Sequence, residues 1–358
     1  MIKTKEGIAK RIFYEDEQIC KLFVLIDGVE YQCVNYKTMV GEVREGDRLL
    51  LNTTAVELQL GTGGFHFVIA NLSRIELDNL GHGHIMKLKY TPLQLNCMTA
   101  ETQESVYHHI FNEFTSLEGM PVIIGSLHSI LAPCSIYLKS CRQDLKICYI
   151  MTEGGALPIY ISDTVRQLKQ ENLIDSTVTY GNAFGGDYEC VNIYTALITA
   201  KEIIKADVAI VCMGPGIVGT DTKLGFSGAE QAGIGDAVNK LGGFPVIVPR
   251  ISFSDKRVRH YGISHHSITV LRSLCCTRMN VAMPNLKDSI QMKHLKEQLE
   301  ESQIESQHNI SYVDLEDIEG ILNKHSKYLC KMGRNFEAER EYFITCAASA
   351  KLCIGKYC

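Results

Sequence analysis

The sequence has no tryptophan, and aromatic residues make up only 8% of its 358 residues. Proteins that bind single-stranded nucleic acids commonly stack bases on aromatic side chains, so this scarcity disfavours such a platform. Basic residues are not in excess either, since 36 Lys and Arg stand against 41 Asp and Glu for a formal net charge of −5. Binding to a phosphate backbone depends on clustered basic residues. The composition therefore predicts no nucleic-acid partner.

Long apolar runs and paired cysteine motifs are also missing. No stretch approaches the roughly 18 consecutive apolar residues of a membrane-spanning helix. The 14 cysteines include no C-x-x-C pair, and a disulfide framework is typical of small secreted domains instead. The opening residues MIKTKEGIAK contain no apolar signal core. These absences predict a cytoplasmic protein with reduced thiols and no membrane partner.

Between 120 and 285 the sequence alternates strand-length apolar runs with helical patterns. The runs are uninterrupted, which is typical of strands buried on both faces. They are Pro121–Gly125, Lys146–Met151, Ser176–Tyr180, Val208–Met213 and Phe244–Arg250. Apolar stripes at helical spacing occur in Ile193–Ile204 and Ile234–Leu241, the second preceded by Ser227 and Glu230 at the spacing of a capping box. This alternation predicts an α/β fold with a doubly wound, mostly parallel, Rossmann-like sheet.

Residues 1–92 show a different pattern, which predicts a small β domain, either a barrel or a sandwich. Strand-length segments alternate with Gly, Asp or Asn, and Asp27–Gly28 has the composition of a two-residue hairpin turn. The segments are Phe23–Ile26, Val29–Val34, Asp47–Asn52, Ala55–Leu60 and Phe65–Ala70. We further predict a connecting helix at Glu101–Phe114 within 93–119, the Rossmann-like domain at 120–285, and a mainly helical C-terminal extension at 286–358.

Each apolar run ends in glycine and polar residues, and ligands of doubly wound folds bind beyond the carboxyl ends of the strands. After Val208–Met213, the glycines Gly214, Gly216 and Gly219 form a G-x-G-x-x-G pattern that Thr220 follows. A nicotinamide-dinucleotide site would need a helix that begins within the glycines and an acidic end to the next strand, and neither is present. We expect a loop whose amides bind an anion, with a tight packing turn as the alternative.

The segment that follows the fifth run is the densest in charged side chains. Arg250, Arg257 and Arg259 suit a phosphate or carboxylate group through bidentate hydrogen bonds. Internal ion pairs with Asp255 are the alternative interpretation.

Two adjacent histidines follow these arginines. Ser264 is placed to cap a helix that carries His265 and His266 in its first turn. The helix dipole there favours the neutral imidazole that a general base or a metal ligand requires. Because adjacent histidines rarely share one metal, we expect at most one of the two to serve a ligand.

The remaining candidate residues follow the first three runs. They are His128 and Ser129 after the first, Glu153, Gly154 and Gly155 after the second, and Asn182, Gly185, Gly186 and Asp187 after the third. A histidine and a carboxylate among them could form an acid/base pair, and two histidines with one carboxylate could bind a metal. The spacing requires neither, so the metal and any cofactor stay unidentified at this level.

Several motifs resemble an uncharacterised bacterial family, domain-of-unknown-function family 3866, in order along nearly the whole chain. They are Gly46–Val56, Leu60–Val68, Thr152–Pro158, Ala183–Glu189, Gly214–Gly216, Gly225–Gly228, Arg250–Ser252 and Gly262–His266. The resemblance implies a bacterial, cytoplasmic protein. It implies no activity, substrate or catalytic residue.

The residues together predict an enzyme of the hydrolase or transferase type that acts on a small anionic or phosphorylated substrate at the carboxyl edge of the sheet. In this hypothesis His265 or His128 moves protons, and Glu153 or Asp187 orients the base or binds a metal. A non-enzymatic metabolite sensor is the main alternative, and a nicotinamide-dinucleotide oxidoreductase is the next. Assembly into a homo-oligomer stays open.

Overall fold

A computed structural model describes residues 1–61, 63–74, 76–78, 80–331 and 333–355. Thr62, which belongs to the Leu60–Val68 motif, lies outside the described residues. The chain divides into two compact units, Met1–Met98 and Thr99–Cys358. Within the described ranges, no helix combines the length and the apolar composition that crossing a membrane requires.

The first unit contains a closed five-stranded barrel, which is one of the two architectures predicted for the β domain. Its strands are β1 (Thr4–Glu15), β2 (Ile19–Ile26), β3 (Val29–Tyr36), β4 (Arg48–Asn52) and β5 (His66–Asn71). Around the barrel they follow the order β1-β2-β3-β5-β4, and only β3 and β5 pair in parallel. Asp27 and Gly28 turn β2 into β3 with φ of 51° and 86°, the two positive values of a type I′ turn.

Short elements complete this unit. They are the helices α1 (Lys37–Val40) and α2 (Thr54–Glu57) and a hairpin of β6 (Ile85–Lys87) and β7 (Leu95–Cys97). The strand predicted at Ala55–Leu60 is wrong, because the first half of this segment lies in α2 and the rest is turn or irregular structure.

The second unit contains an eight-stranded sheet in which every neighbouring pair is parallel. Its strands are β8 (Pro121–Ile124), β9 (Ile147–Thr152), β10 (Ser176–Tyr180), β11 (Tyr188–Cys190), β12 (Val208–Met213), β13 (Phe244–Ile247), β16 (Asn280–Pro284) and β17 (Asn309–Val313). All residues of β8, β9 and β12 are buried, so both faces of the sheet are covered there. The predicted mixed α/β fold with a mostly parallel sheet is confirmed.

Helices and one small hairpin fill the connections of this sheet. The helices are α3 (His108–Glu113), α4 (Leu131–Cys141), α5 (Asp163–Gln170), α6 (Ile193–Ile198), α7 (Glu230–Lys240), α8 (His265–Thr269), α9 (Ser289–Ser302), α10 (Ile304–Gln307), α11 (Ile318–Lys324) and α12 (Arg340–Ile354). The hairpin consists of β14 (Ile251–Ser252) and β15 (Gly262–Ile263). Helix α3 is shorter than the predicted Glu101–Phe114, and the segment from 286 onward adds β17 and the buried helix α12 to this unit.

The order of the strands determines where a ligand crevice can form. The order is β11-β10-β9-β12-β8-β13-β16-β17. Strand β8 continues through α4 to β9, whereas β12 continues through α7 to β13. The connections therefore leave the adjacent strands β8 and β12 in opposite directions. In doubly wound sheets this reversal creates a crevice beyond the carboxyl ends of the strands.

Candidate functional site

The segments that follow β9 and β12 contact each other at the carboxyl edge of the sheet. The backbone N–H of Ala156 donates to the carbonyl of Pro215 over 2.8 Å. A Cβ on Gly155 would collide with the carbonyl oxygen of Gly214. Gly155 and Gly214 therefore allow the two loops to cross with their backbones in contact. Close packing of this kind was the alternative interpretation of the G-x-G-x-x-G segment.

The rest of that glycine segment does not lead directly into a helix. Gly216 is exposed and has φ of 110°, a value that favours glycine. The backbone N–H and the hydroxyl of Thr220 both donate to the carbonyl of Gly225 at 2.9 Å. Helix α7 begins only at Glu230, after a short 3-10 turn.

Three histidines lie together in the segment that follows β13. His260 ends a turn between β14 and β15, and His265 and His266 form the first turn of α8. The hydroxyl of Ser264 caps that helix by accepting from the N–H of His266, as predicted. One ring nitrogen from each histidine lies within 4.8 Å of the other two. The two adjacent histidines thus share one location, and the expectation that at most one of them serves a ligand stays a prediction.

Neighbouring side chains hold two of these three rings in place. Phe226, in the segment after β12, stacks on His266 with ring centroids 4.0 Å apart and planes 7° apart. The Nδ1 atom of His260 lies 2.7 Å from the hydroxyl of Ser264. The Nε2 atom of His265 is buried and has no hydrogen-bond partner among the described residues. Such orphaned polar atoms are rare in folded proteins and call for an explanation.

All three imidazoles are neutral at physiological pH. Burial, followed by the charge of Arg250, lowers the pKa of His260 to about 3. Burial and the neighbouring His265 lower the pKa of His266 to about 4. The pKa of His265 is lowered as well, first by burial and then by Arg259. A lone pair on each ring is therefore available without competition from a proton.

The three predicted arginines are engaged in ion pairs within the chain. Arg250 reaches Asp255 over 3.0 Å, and Arg257 binds the same carboxylate with two nitrogens at 3.0 and 2.8 Å. Arg259 pairs with Asp221. The two pairs with Asp255 are the alternative that the sequence left open, whereas the pair with Asp221 was not predicted. The hydrogen bonds of Arg257 hold the pKa of Asp255 far below its usual range.

Arg250 differs from the other two arginines because it is only 8% exposed. Its Nε atom is buried and has no partner within the described part of the chain. Its backbone is tied to the start of α8, since its carbonyl accepts from the N–H of Ser264 at 2.8 Å and its N–H donates to the Ser267 hydroxyl at 2.9 Å. A fixed and incompletely bonded guanidinium thus lies beside the histidines.

A shallow cleft of about 420 Å³ runs along the same segment. Its lining comprises Phe253, Ser254, Asp255, Lys256, Val258 and Tyr261. Small-molecule sites usually occupy several hundred Å³, so the cleft is large enough for part of a small ligand.

Glu230 is a titratable group that sequence reasoning assigned to a capping box. The structure does not form that box, because the carboxylate of Glu230 accepts from the Thr152 hydroxyl at 2.6 Å. Burial raises the pKa of Glu230 to about 7, partly opposed by that hydrogen bond. The neighbouring Glu153 is exposed, and its carboxylate accepts from the backbone N–H of Asn182 at 2.7 Å. Glu230, rather than Glu153, therefore has the properties of a proton-transfer group at this edge.

The side chains of His128 and Ser129 form hydrogen bonds with the hydroxyl groups of other side chains in this unit. The ring nitrogens of His128 lie 2.7 Å from the Ser162 hydroxyl and 3.1 Å from the Tyr149 hydroxyl. The Ser129 hydroxyl lies 2.8 Å from that of Tyr342. Both nitrogens of His128 are thus already engaged, which favours a positioned core histidine over a proton carrier.

The burial of His128 has a consequence for acid stability. Burial lowers the pKa of His128 to about 4, below the roughly 6.5 of an unfolded histidine. The unfolded chain therefore binds the extra proton first as the pH falls, and stability is lost between about pH 6.5 and 4.

Between pH 7 and 5 the wild type should lose about 2 kcal/mol more unfolding free energy than His128→Gln in urea titrations. Equal losses in the two proteins would contradict a neutral His128, and the exposed His109→Gln should behave like wild type.

Asp187 does not lie at the carboxyl edge, so the position predicted for it there is wrong. Its carboxylate accepts from the N–H of Thr177 at 2.8 Å, near the start of β10, and pairs with Lys169. The chain returns along β10 after residue 181 and begins β11 in parallel, with Val178 opposite Tyr188. The end of that loop is therefore carried back toward the amino ends of the strands.

Gly185 and Gly186 are also engaged within the protein. The N–H of Gly185 donates to Glu189 at 2.6 Å, and the N–H of Gly186 donates to the Thr179 hydroxyl at 3.1 Å. A Cβ on Gly185 would overlap the ring of Tyr160. Both N–H groups thus already have partners within the protein, and the ligand contacts of these glycines stay a prediction.

Comparison with known proteins identifies a family for the chain. A family model described as protein of unknown function, DUF3866, matches residues 32–350. The chain belongs to this family, as the resemblance of its motifs indicated. A search of curated proteins found no match.

Proposed function

We propose that this member of the DUF3866 family is an enzyme of the hydrolase or transferase type that acts on a small anionic or phosphorylated substrate at the carboxyl edge of its parallel sheet. One observation carries the proposal. A nearly buried Arg250 with an unpartnered N–H lies beside three neutral imidazoles, in the segment that follows β13, the strand next to β8 in the sheet.

The charge of this region favours an anion. The guanidiniums of Arg250, Arg257 and Arg259 are paired with only two carboxylates, Asp255 and Asp221. The histidines add no charge, so these groups keep one positive charge in excess. A phosphate or carboxylate oxygen would also give the Nε of Arg250 the acceptor that it lacks, and hydrogen bonds to charged groups are the stronger kind.

Glu230 supplies the proton transfer in this proposal. General acid–base catalysis is most effective when the pKa of the group lies near the working pH, and the pKa of Glu230 is raised to about 7. In hydrolysis the oxygen of water forms a bond to phosphorus or to a carbonyl carbon while its proton passes to the Glu230 carboxylate. The bond to the leaving oxygen breaks, and that oxygen takes a proton back.

Binding of inorganic phosphate tests the anion site. A ligand at about 100 times its Kd stabilises the folded protein by about 2.7 kcal/mol, and phosphate should therefore raise the melting temperature of the wild type. In differential scanning fluorimetry, Arg250→Gln should lose this shift. Arg142→Gln is the matched control, because Arg142 is partly exposed and pairs with Asp144 directly after α4, away from the segment that follows β13. A phosphate shift of the same size in Arg250→Gln would refute the proposed anion site.

A further inference from the structure

We propose that His260, His265 and His266 are the protein ligands of a divalent transition-metal ion of the zinc class. The inference deepens the proposed function, on which its catalytic meaning rests, while binding of the ion can be measured separately. Three histidines with an open fourth position are a known arrangement of catalytic zinc, in which a bound water takes the remaining place.

The first support is the distance between the donor atoms. The three ring nitrogens lie within 4.8 Å of one another, whereas nitrogens bound to one tetrahedral zinc at about 2.0–2.1 Å are about 3.3 Å apart. Small side-chain rotations close that difference. The ring centroids of His265 and His266 are 4.1 Å apart with planes tilted by 42°, so adjacency in the sequence does not separate them.

The second support is the way in which the ligands are held. Metal-binding histidines usually hydrogen-bond through their other ring nitrogen, which fixes the ring and its tautomer. His260 does so through Nδ1 and the Ser264 hydroxyl at 2.7 Å, which leaves Nε2 to face the ion. Ser264 also caps the helix that carries His265 and His266. One residue therefore ties the three ligands together.

The third support is the orphaned atom of the cluster. The Nε2 of His265 is buried without a hydrogen-bond partner among the described residues, and a metal ion would satisfy it.

The donor set indicates which ions would bind. Within the described part of the chain, this cluster contains three imidazoles and no carboxylate. Imidazole suits zinc, copper, iron or nickel, whereas magnesium and calcium prefer oxygen ligands. Without an anionic ligand the ion keeps its full charge, which favours hydroxide and anionic substrates. Zinc lowers the pKa of bound water to about 7.

Nearby charged side chains both weaken and strengthen the binding of a cation at this site. Arg250, Arg257 and Arg259 oppose a cation, but Asp255 and Asp221 pair with them. The excess of one positive charge lowers the affinity for the ion and raises the affinity of the loaded site for an anion.

Titration of the full-length protein, freed of metal by a chelator, tests the inference. By isothermal calorimetry the wild type should bind one zinc ion, and cobalt(II) should give the intense visible absorption of a four-coordinate site. His260→Gln, His265→Gln and His266→Gln should each weaken zinc binding at least 100-fold. His109→Gln, which changes an exposed histidine of α3, should bind as the wild type does.

Two results would overturn the inference. The first is the absence of four-coordinate absorption when cobalt(II) is added to the wild type. This measurement does not require any variant to fold. The other is unchanged zinc affinity in the three variants. The phosphate shift of the metal-free wild type separates this inference from the proposed function. If phosphate binds through Arg250 and no metal ion binds, only the metal inference fails. If a metal ion binds and phosphate gives no shift that depends on Arg250, only the proposed anion site fails.

Discussion

Replacing Glu339 by alanine is expected to lower the free energy of unfolding by about 3–5 kcal/mol, the usual cost of leaving a buried charge without its partner. Glu339 is 2% exposed and accepts from Lys331 and from the Ser252 hydroxyl, each at 2.8 Å. Lys331 is equally buried, and its Nζ lies 4.1 Å from the ring centroid of Tyr342. The substitution would leave that ammonium without a carboxylate in a region with little access to water.

Urea denaturation measures this effect, and two further variants show its cause. Glu337→Ala, two residues away and exposed, should change stability by less than about 0.5 kcal/mol. Replacing both partners, in Lys331→Met with Glu339→Leu, should recover most of the loss, because buried ion pairs are often replaced by apolar side chains without cost. A loss below about 1 kcal/mol in Glu339→Ala would show that water or another group compensates Lys331.

Replacing Glu230 by glutamine is expected to lower kcat by about 10²–10⁴, the contribution typical of a general acid–base group. Glutamine keeps an oxygen that can accept from Thr152, so the fold and the phosphate shift should be retained. The probe is p-nitrophenyl phosphate, a phosphate monoester whose cleavage is followed by colour. As a general base Glu230 must be ionised, so kcat/KM of the wild type should fall below about pH 7.

The control for this experiment is Glu202→Gln, since Glu202 pairs with Lys205 away from the carboxyl edge. It should turn over the ester at the wild-type rate. A Glu230→Gln variant with full turnover and an unchanged pH profile would show that another group moves the proton. Phosphate binding without turnover of any ester, in the wild type and in Glu230→Gln alike, would favour the metabolite sensor.

The apolar runs were sufficient to predict the mostly parallel sheet of the second unit, because strands such as β9 and β12 are buried on both faces and are apolar throughout. The longest strand of the barrel, β1, was not predicted. Of its 12 residues only Gly7 and Ala9 are buried, so most of the strand carries exposed and charged side chains. The segment Ala55–Leu60 was assigned to a strand because its apolar residues fit a period of two, yet its first half belongs to α2 and the rest to a turn.

The site was only partly predictable, because its contacts join residues far apart in the sequence. His265 and His266 were recognised from the cap at Ser264, but no periodicity relates them to His260. The hairpin of β14 and β15 brings that third histidine to the other two. Thr152, the partner of Glu230, lies 78 residues earlier in the chain, a separation that local spacing does not report.

A crystal structure of the protein soaked with zinc and phosphate, with anomalous data at the zinc edge, tests the carboxyl-edge site most directly. We expect one anomalous peak about 2.0–2.1 Å from ring nitrogens of His260, His265 and His266. We also expect a phosphate oxygen within hydrogen-bond distance of the Arg250 Nε. Occupied zinc and phosphate sites elsewhere, with neither group between the segments that follow β12 and β13, would contradict the account.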